Sequence, residues 1–142
     1  MKVFLDANVL FSAALPGSLM GRFLEVVRSK AEVVSNRAAV DEAVRNLDRK
    51  FSSRLPHLQS LVQSITVTQF VAELPGVELV EKDRHILGAA VASRCSHLLT
   101  GDERHFQHLF GKAVLGVKVV NAALFAEEIG LKKIDRKPSK AD

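Results

Sequence analysis

The apolar run Val3-Phe4-Leu5, ending in the carboxylate of Asp6, constrains this chain more than any other feature. A strand that opens a chain and ends in an acid delivers that acid to the carboxyl edge of a sheet, where open α/β folds bind their ligands. The pattern recurs. Val77-Glu78-Leu79-Val80 leads to Asp83, and His97-Leu98-Leu99-Thr100 leads through Gly101 to Asp102. Three acids converging on one edge repel one another and require a cation.

Periodicity around those runs alternates strand and helix signals, with no internal repeat and no low-complexity segment. After the strand at 2–5, residues 8–14 read as a short helix stopped by Pro16-Gly17, and Ser18 caps a helix to about Lys30. Val33-Val34 forms a second strand, and Asn36 caps a helix carrying Val40, Val44 and Leu47. Residues 57–73 read as a helix between Pro56 and Pro75-Gly76, although the β-branched run Ile65-Thr66-Val67-Thr68 also suits a strand. Then follow a strand at 77–80, a helix at 84–94, a strand at 97–100, a short helix near 103–110, a strand at 117–120 and a helix over 121–130. Such alternation predicts an α/β fold on a mostly parallel sheet with right-handed crossovers. The helix after Asp83 runs away from the edge for about 16 Å at 1.5 Å per residue. The strand at 97–100 comes back about 13 Å, so Asp83 and Asp102 end on one side.

At 142 residues, with 47% hydrophobic and 25% charged positions, the chain has the size and composition of one globular domain. No window reaches the roughly 18 uninterrupted apolar residues of a membrane span, and Asp6 interrupts what would be the apolar region of a signal peptide. A single cysteine, Cys95, makes no internal disulfide; it suits a reducing cytoplasm and reads as a small core residue. The net charge of +4, with negative charge gathered in one place, implies an acidic hole in a basic surface and hence a polyanionic substrate. Arg45, Arg49, Lys50 and Arg54 mark one candidate path for that polyanion, with a solvated helix face as the plain alternative. Lys132, Lys133, Arg136, Lys137 and Lys140 make a basic, solubilising C-terminal stretch. With neither Trp nor Tyr, an aromatic platform for stacking bases is poorly supported.

Four stretches carry a family resemblance: Leu5-Asp6-Ala7-Asn8-Val9-Leu10-Phe11-Ser12, Val40-Asp41-Glu42-Ala43-Val44-Arg45-Asn46-Leu47, Lys82-Asp83-Arg84-His85-Ile86-Leu87-Gly88-Ala89-Ala90 and Leu98-Leu99-Thr100-Gly101-Asp102. In this order, followed by a terminal strand and closing helix, they resemble the PIN-domain ribonucleases found as VapC-type toxins of toxin–antitoxin pairs. The resemblance implies a three-layer α/β/α sandwich around a mostly parallel sheet of about five strands, over residues 1–130, with 131–142 as a tail. It further implies Mg²⁺ or Mn²⁺ held by Asp6, Glu42, Asp83 and Asp102, with Asn8 and Thr100 in support. Cleavage of RNA phosphodiesters, an antitoxin partner and a homodimer complete what it implies.

The chemistry fits without the name. Hard divalent cations prefer carboxylate oxygen and water, and such ions activate water for in-line attack on phosphate. Among competing nucleophiles, Ser12 and Ser35 lack a His/Asp arrangement, and no Gly-rich phosphate loop precedes a Lys. Against each acid stands a plainer role: Asp83 as a helix cap, Asp102 as a turn residue, Glu42 as a solvated helix acid beside Asp41. Asn8 serves equally as a local cap, Glu103 is a possible additional acid, and His105 with His108 read as a surface helix pair. Two rival functions remain: a non-catalytic PIN domain that binds RNA or a partner, and a Mg²⁺-dependent phosphatase or phosphoacceptor. No Asp-x-Asp follows the first strand, which disfavours the latter.

Overall fold

The computed structural model describes residues 1–131. The basic stretch from Lys132 to Lys140 lies outside the described residues.

The chain begins with β1 (Lys2–Leu5), α1 (Ala7–Ala14), α2 (Leu19–Lys30), β2 (Glu32–Asn36), α3 (Arg37–Phe51), α4 (Leu55–Gln63) and β3 (Thr66–Thr68). It continues through α5 (Glu81–Ala92), β4 (His97–Leu99), α6 (Glu103–Phe106), β5 (Ala113–Val114), β6 (Val117–Val120) and α7 (Ala122–Glu128). Six strands form one sheet in the order β3-β2-β1-β4-β6-β5. All pairings are parallel except the short β5 against β6. In β1, consecutive side chains point to opposite faces, yet Val3, Phe4 and Leu5 are all fully buried, so both faces of the sheet are covered. That is the α/β/α layering.

Sequence logic accounts for most of these elements. Ser18, Asn36 and Asn121 each cap the following helix, accepting from the backbone N–H of Gly21, Ala39 and Leu124. Phe23 of α2 meets Phe125 of α7 edge-on at 6.0 Å between ring centroids, locking the closing helix down. No single helix among the described residues is long and apolar enough to cross a membrane.

Two expectations are corrected. The helix expected over 57–73 stops at Gln63, and the β-branched run becomes β3, parallel to β2 through Val34 opposite Thr66. The strand expected at 77–80 is instead part of an irregular connection over 69–80. Its alternation is real, since Val77 and Leu79 pack on the core while Glu78 and Val80 face outward, but among the described residues no strand lies beside it. The place beside β2 is already taken by β3. The connection is tied to α5 instead: the Arg84 guanidinium donates to the carbonyls of Leu74 (2.8 Å) and Val77. Ala72 N–H bonds the Gly88 carbonyl at 2.9 Å, and a Cβ on Gly88 would stand 2.5 Å from the Ala72 carbonyl oxygen. Gly88 thus makes room for the crossing segment.

Strand order places the site. From β1 the chain moves outward through β2 to β3, then returns to lay β4 on the other side of β1. The carboxyl ends of β1 and β4 therefore flank a topological switch point, where a crevice opens in folds of this class.

Candidate metal centre

Asp6 leaves β1 by donating its backbone N–H to the Leu99 carbonyl at 3.1 Å, which extends the β1–β4 ladder by one residue. Its carboxylate caps α1, accepting from Ala7 N–H at 2.7 Å, and its other oxygen accepts from the Thr100 hydroxyl at 2.8 Å. Asn8 closes the crevice from one side. Its amide lies 3.4 Å from both Asp6 Oδ2 and Thr100 Oγ1, and its carbonyl accepts from Gly101 N–H at 2.7 Å. Asp6, Asn8 and Thr100 thus form one polar lattice tying the two strand ends together, and Asp6 and Thr100 are buried in it.

Asp83 reaches the same edge by a different route from the one expected. Val80 occupies the N-cap of α5, and Asp83 sits in the first turn, where its negative charge opposes the helix dipole. The cap role is excluded, yet the side chain is only 2% exposed. Asp102 does cap a helix: it heads α6, accepting from His105 N–H at 3.1 Å, while its own N–H donates to Thr100 Oγ1 at 3.1 Å. The His105 ring then folds back. Its Nδ1 lies 2.8 Å from Asp102 Oδ2 and 3.0 Å from Asp83 Oδ2. Its hydrogen bond goes to Asp102, so Asp83 Oδ2 is buried beside the ring with no hydrogen-bond partner.

Glu42, on α3, is paired with Lys82 Nζ at 3.2 Å. It stands outside the tight trio of Asp83, Asp102 and His105, whose donor atoms lie within 4.8 Å of one another. Its charge nevertheless reaches both Asp6 and Asp83. Burial pushes the Asp6 carboxyl up to about 6; bonds from Thr100 and Ala7 resist the rise, and Asp83 and Glu42 add to it. Burial raises Asp83 as well, His105 offsets part of that, and Asp102 repels it further. The hydrogen bond from Lys82 to Glu42 and the surrounding acids hold the ammonium above its usual range.

Lys82 and His105 were missed as site residues in the sequence. The signals were present: Lys82 adjoins Asp83, and His105 lies three residues beyond Asp102, one helical turn away. His108 points elsewhere, with Nε2 at 2.9 Å from the Glu78 carbonyl, and Glu103 is exposed at the start of α6. The four basic residues of the candidate RNA path are divided by the fold. Arg45 is exposed on α3 one turn past Glu42, and Arg49 beyond it donates to Asn46 at 3.0 Å. Lys50 lies 5.9 Å from the Phe11 ring centre, and Arg54 donates to the Ala14 carbonyl at 2.8 Å, so both turn toward α1.

The donor set fits a divalent cation. Buried carboxylates with raised affinities for protons, one of them holding an unpartnered oxygen, are groups whose charge is destabilising until a cation neutralises it. Oxygen donors with a single imidazole suit a hard or borderline ion.

Comparison with known proteins identifies the fold. Residues 2–104 match the PIN domain family. No curated protein matches the chain by sequence. Among solved structures, VapBC2 from Rickettsia felis, bound to a DNA fragment from its promoter, aligns with a TM-score of 0.64 at 14% identity, covering 85% of this chain and 98% of that one. VapBC-1 from nontypeable Haemophilus influenzae aligns at 0.60 and 13% identity, over 87% and 99%. VapC20 from Mycobacterium tuberculosis, a toxin that cleaves the sarcin-ricin loop, aligns at 0.57 and 10% identity, over 79% and 98%.

Proposed function

The chain belongs to the PIN domain family, and from that premise we propose that it is a metal-dependent endoribonuclease, the toxin half of a toxin–antitoxin pair. One observation carries the reading: Asp83 Oδ2 lies buried and without a hydrogen bond, at a switch-point crevice shared with Asp6, Glu42 and Asp102. The nuclease unit spans 1–130, and the sequence beyond it is rich in Lys and Arg. An antitoxin, a second copy of the chain and a cytoplasmic setting complete the assignment.

Asp6, Glu42, Asp83 and Asp102 would hold the ion. When bound among these carboxylates, Mg²⁺ or Mn²⁺ supplies the polarisation that makes water nucleophilic near neutral pH and the positive charge that offsets charge developing on the phosphate. Thr100 and Ala7 orient Asp6 by direct hydrogen bonds, so its oxygens need no reorganisation when substrate arrives. Asn8 clamps the β4 end through Gly101 and keeps Asp102 in register with Asp6. In the reaction, water forms a new oxygen–phosphorus bond and loses a proton, while the bond to the departing sugar oxygen breaks and that oxygen is protonated. Arg45 and Arg49, on the α3 face that carries Glu42, would meet the approaching backbone.

Labelled RNA incubated with purified protein in Mg²⁺ or Mn²⁺, with and without EDTA, tests the reading. Asp6→Asn and Asp83→Asn variants serve as controls. Cleavage should require the ion and be lost in both variants. Binding of RNA without cleavage in any ion would instead mark a non-catalytic member of the family.

A further inference from the structure

Carboxylates alone do not account for the most compact part of the site. Two of its donor separations, 3.0 Å from His105 Nδ1 to Asp83 Oδ2 and 2.8 Å to Asp102 Oδ2, equal the spacing of neighbouring ligands around one octahedral ion. With bonds of about 2.1 Å that spacing is about 3.0 Å. The imidazole is anchored by its own backbone, because Asp102 caps α6 by accepting from His105 N–H. Asp83 Oδ2, buried and without a hydrogen bond, is aimed at the same space.

We propose that His105 gives a nitrogen ligand to the cation held by Asp83 and Asp102, so that the centre selects a first-row transition ion over Mg²⁺. Imidazole nitrogen is a poor partner for Mg²⁺, which keeps oxygen and water, whereas transition ions accept it with an affinity rising from Mn²⁺ to Co²⁺. This inference rests on the reading of the crevice as a metal centre, and it adds a preference for transition ions larger than a set of acids alone confers. The opposite role for the ring is an internal cation, with a proton on Nδ1 bridging the two carboxylates, which an incoming ion would have to displace.

Calorimetric titration of the metal-free chain with Mg²⁺, Mn²⁺ and Co²⁺, beside His105→Asn and His105→Gln, separates these roles. The native chain should bind Mn²⁺ at least about tenfold more tightly than Mg²⁺, and Co²⁺ more tightly still. Both variants should lose most of that preference while Mg²⁺ affinity changes little. Pulsed electron paramagnetic resonance of bound Mn²⁺ should detect an imidazole nitrogen in the native chain alone, a readout that needs no variant to fold. Absence of the nitrogen signal from the native protein, or an unchanged Mn²⁺ preference in the variants, would overturn the proposal. So would tighter binding of every ion once the ring is removed, since that marks an internal cation. If nitrogen ligation is seen but RNA is cut in no ion, the metal assignment stands and the ribonuclease reading falls.

Discussion

Asp6 is a buried carboxylate under electrostatic tension, and its consequences are measurable without substrate. Its carboxyl is raised from an ordinary 3.8 to about 6, first by burial and then by repulsion from Asp83 and Glu42. A raised carboxyl means that the folded state binds the proton more tightly than the unfolded chain does. Its stabilising contribution is therefore complete below pH 3.8 and lost as pH rises through about 6. In EDTA at pH 7, Asp6→Asn should be more stable than the native chain by on the order of 1 kcal/mol: the buried charge is gone and the amide oxygen still accepts from Thr100, while the NH2 that replaces Oδ1 forfeits the bond from Ala7 N–H. Urea unfolding of both proteins between pH 4 and 8 checks this, and a gain that is the same at every pH would exclude a charge effect. Added Mn²⁺ should stabilise the native chain increasingly as pH climbs through that range, because protons and the ion compete for the same oxygens.

Among the elements, the junction of α5 with the 69–80 connection is the most sensitive to a small change. Alanine favours a helix over glycine by about 1 kcal/mol, but at Gly88 the new Cβ would meet the Ala72 carbonyl oxygen at 2.5 Å and Val71 Cγ1 at 2.8 Å. Backbone cannot yield there without moving the segment, so Gly88→Ala should cost a net amount of about 2 kcal/mol. It should also open 69–80 to limited proteolysis; undiminished stability would show that the segment rides up freely. Elsewhere on the sheet, α7 is tied to β4 and β6 through Glu128, which bonds His97 Nε2 at 2.7 Å and Lys118 Nζ at 3.2 Å. Burial would raise this carboxyl, but the bonds from His97 and Lys118 outweigh it and hold it below its usual value of 4.5. Its contribution is present above that value and lost as pH falls through the lower, folded one. Glu128→Gln should consequently flatten the acid limb of the stability profile. An acid limb as steep as the native one would remove this link from acid unfolding.

Across the whole molecule, charge is distributed so that acids gather at one crevice while Arg45 and Arg49 line the adjoining face of α3. Each backbone contact with single-stranded RNA releases counterions, and log affinity should fall with log salt by about 0.7 per contact. Neutralising Arg45 and Arg49 together, measured in Ca²⁺ to withhold cleavage, should flatten that slope. Neutralising Lys50 and Arg54 should leave it unchanged, since those side chains turn toward Phe11 and Ala14. Equal effects from the two pairs would show that Arg45 and Arg49 hold no special place on the RNA path.

Much of this was legible in the chain alone. Short continuous apolar runs marked β1, β2, β4 and β6, and capping residues marked the helices after Ser18 and Asn36, because local burial and local hydrogen bonds determine those elements. The positions of Asp6 and Asp102 followed from the same local rule: a strand that ends in an acid places it at the edge. Tertiary structure alone decided the rest. Residues 77–80 alternate like a strand, but a strand also needs a neighbour, and β3 had taken the place beside β2. Asp83 keeps its buried position through the first turn of α5 instead of a strand end. His105, separated from Asp83 by 22 residues of sequence and 3.0 Å of space, joins the site only because α5 and the β4–α6 turn converge on one edge. Sequence periodicity reports which face of an element is buried; it carries no information on which elements become neighbours, and the chemistry of this crevice depends on the neighbours.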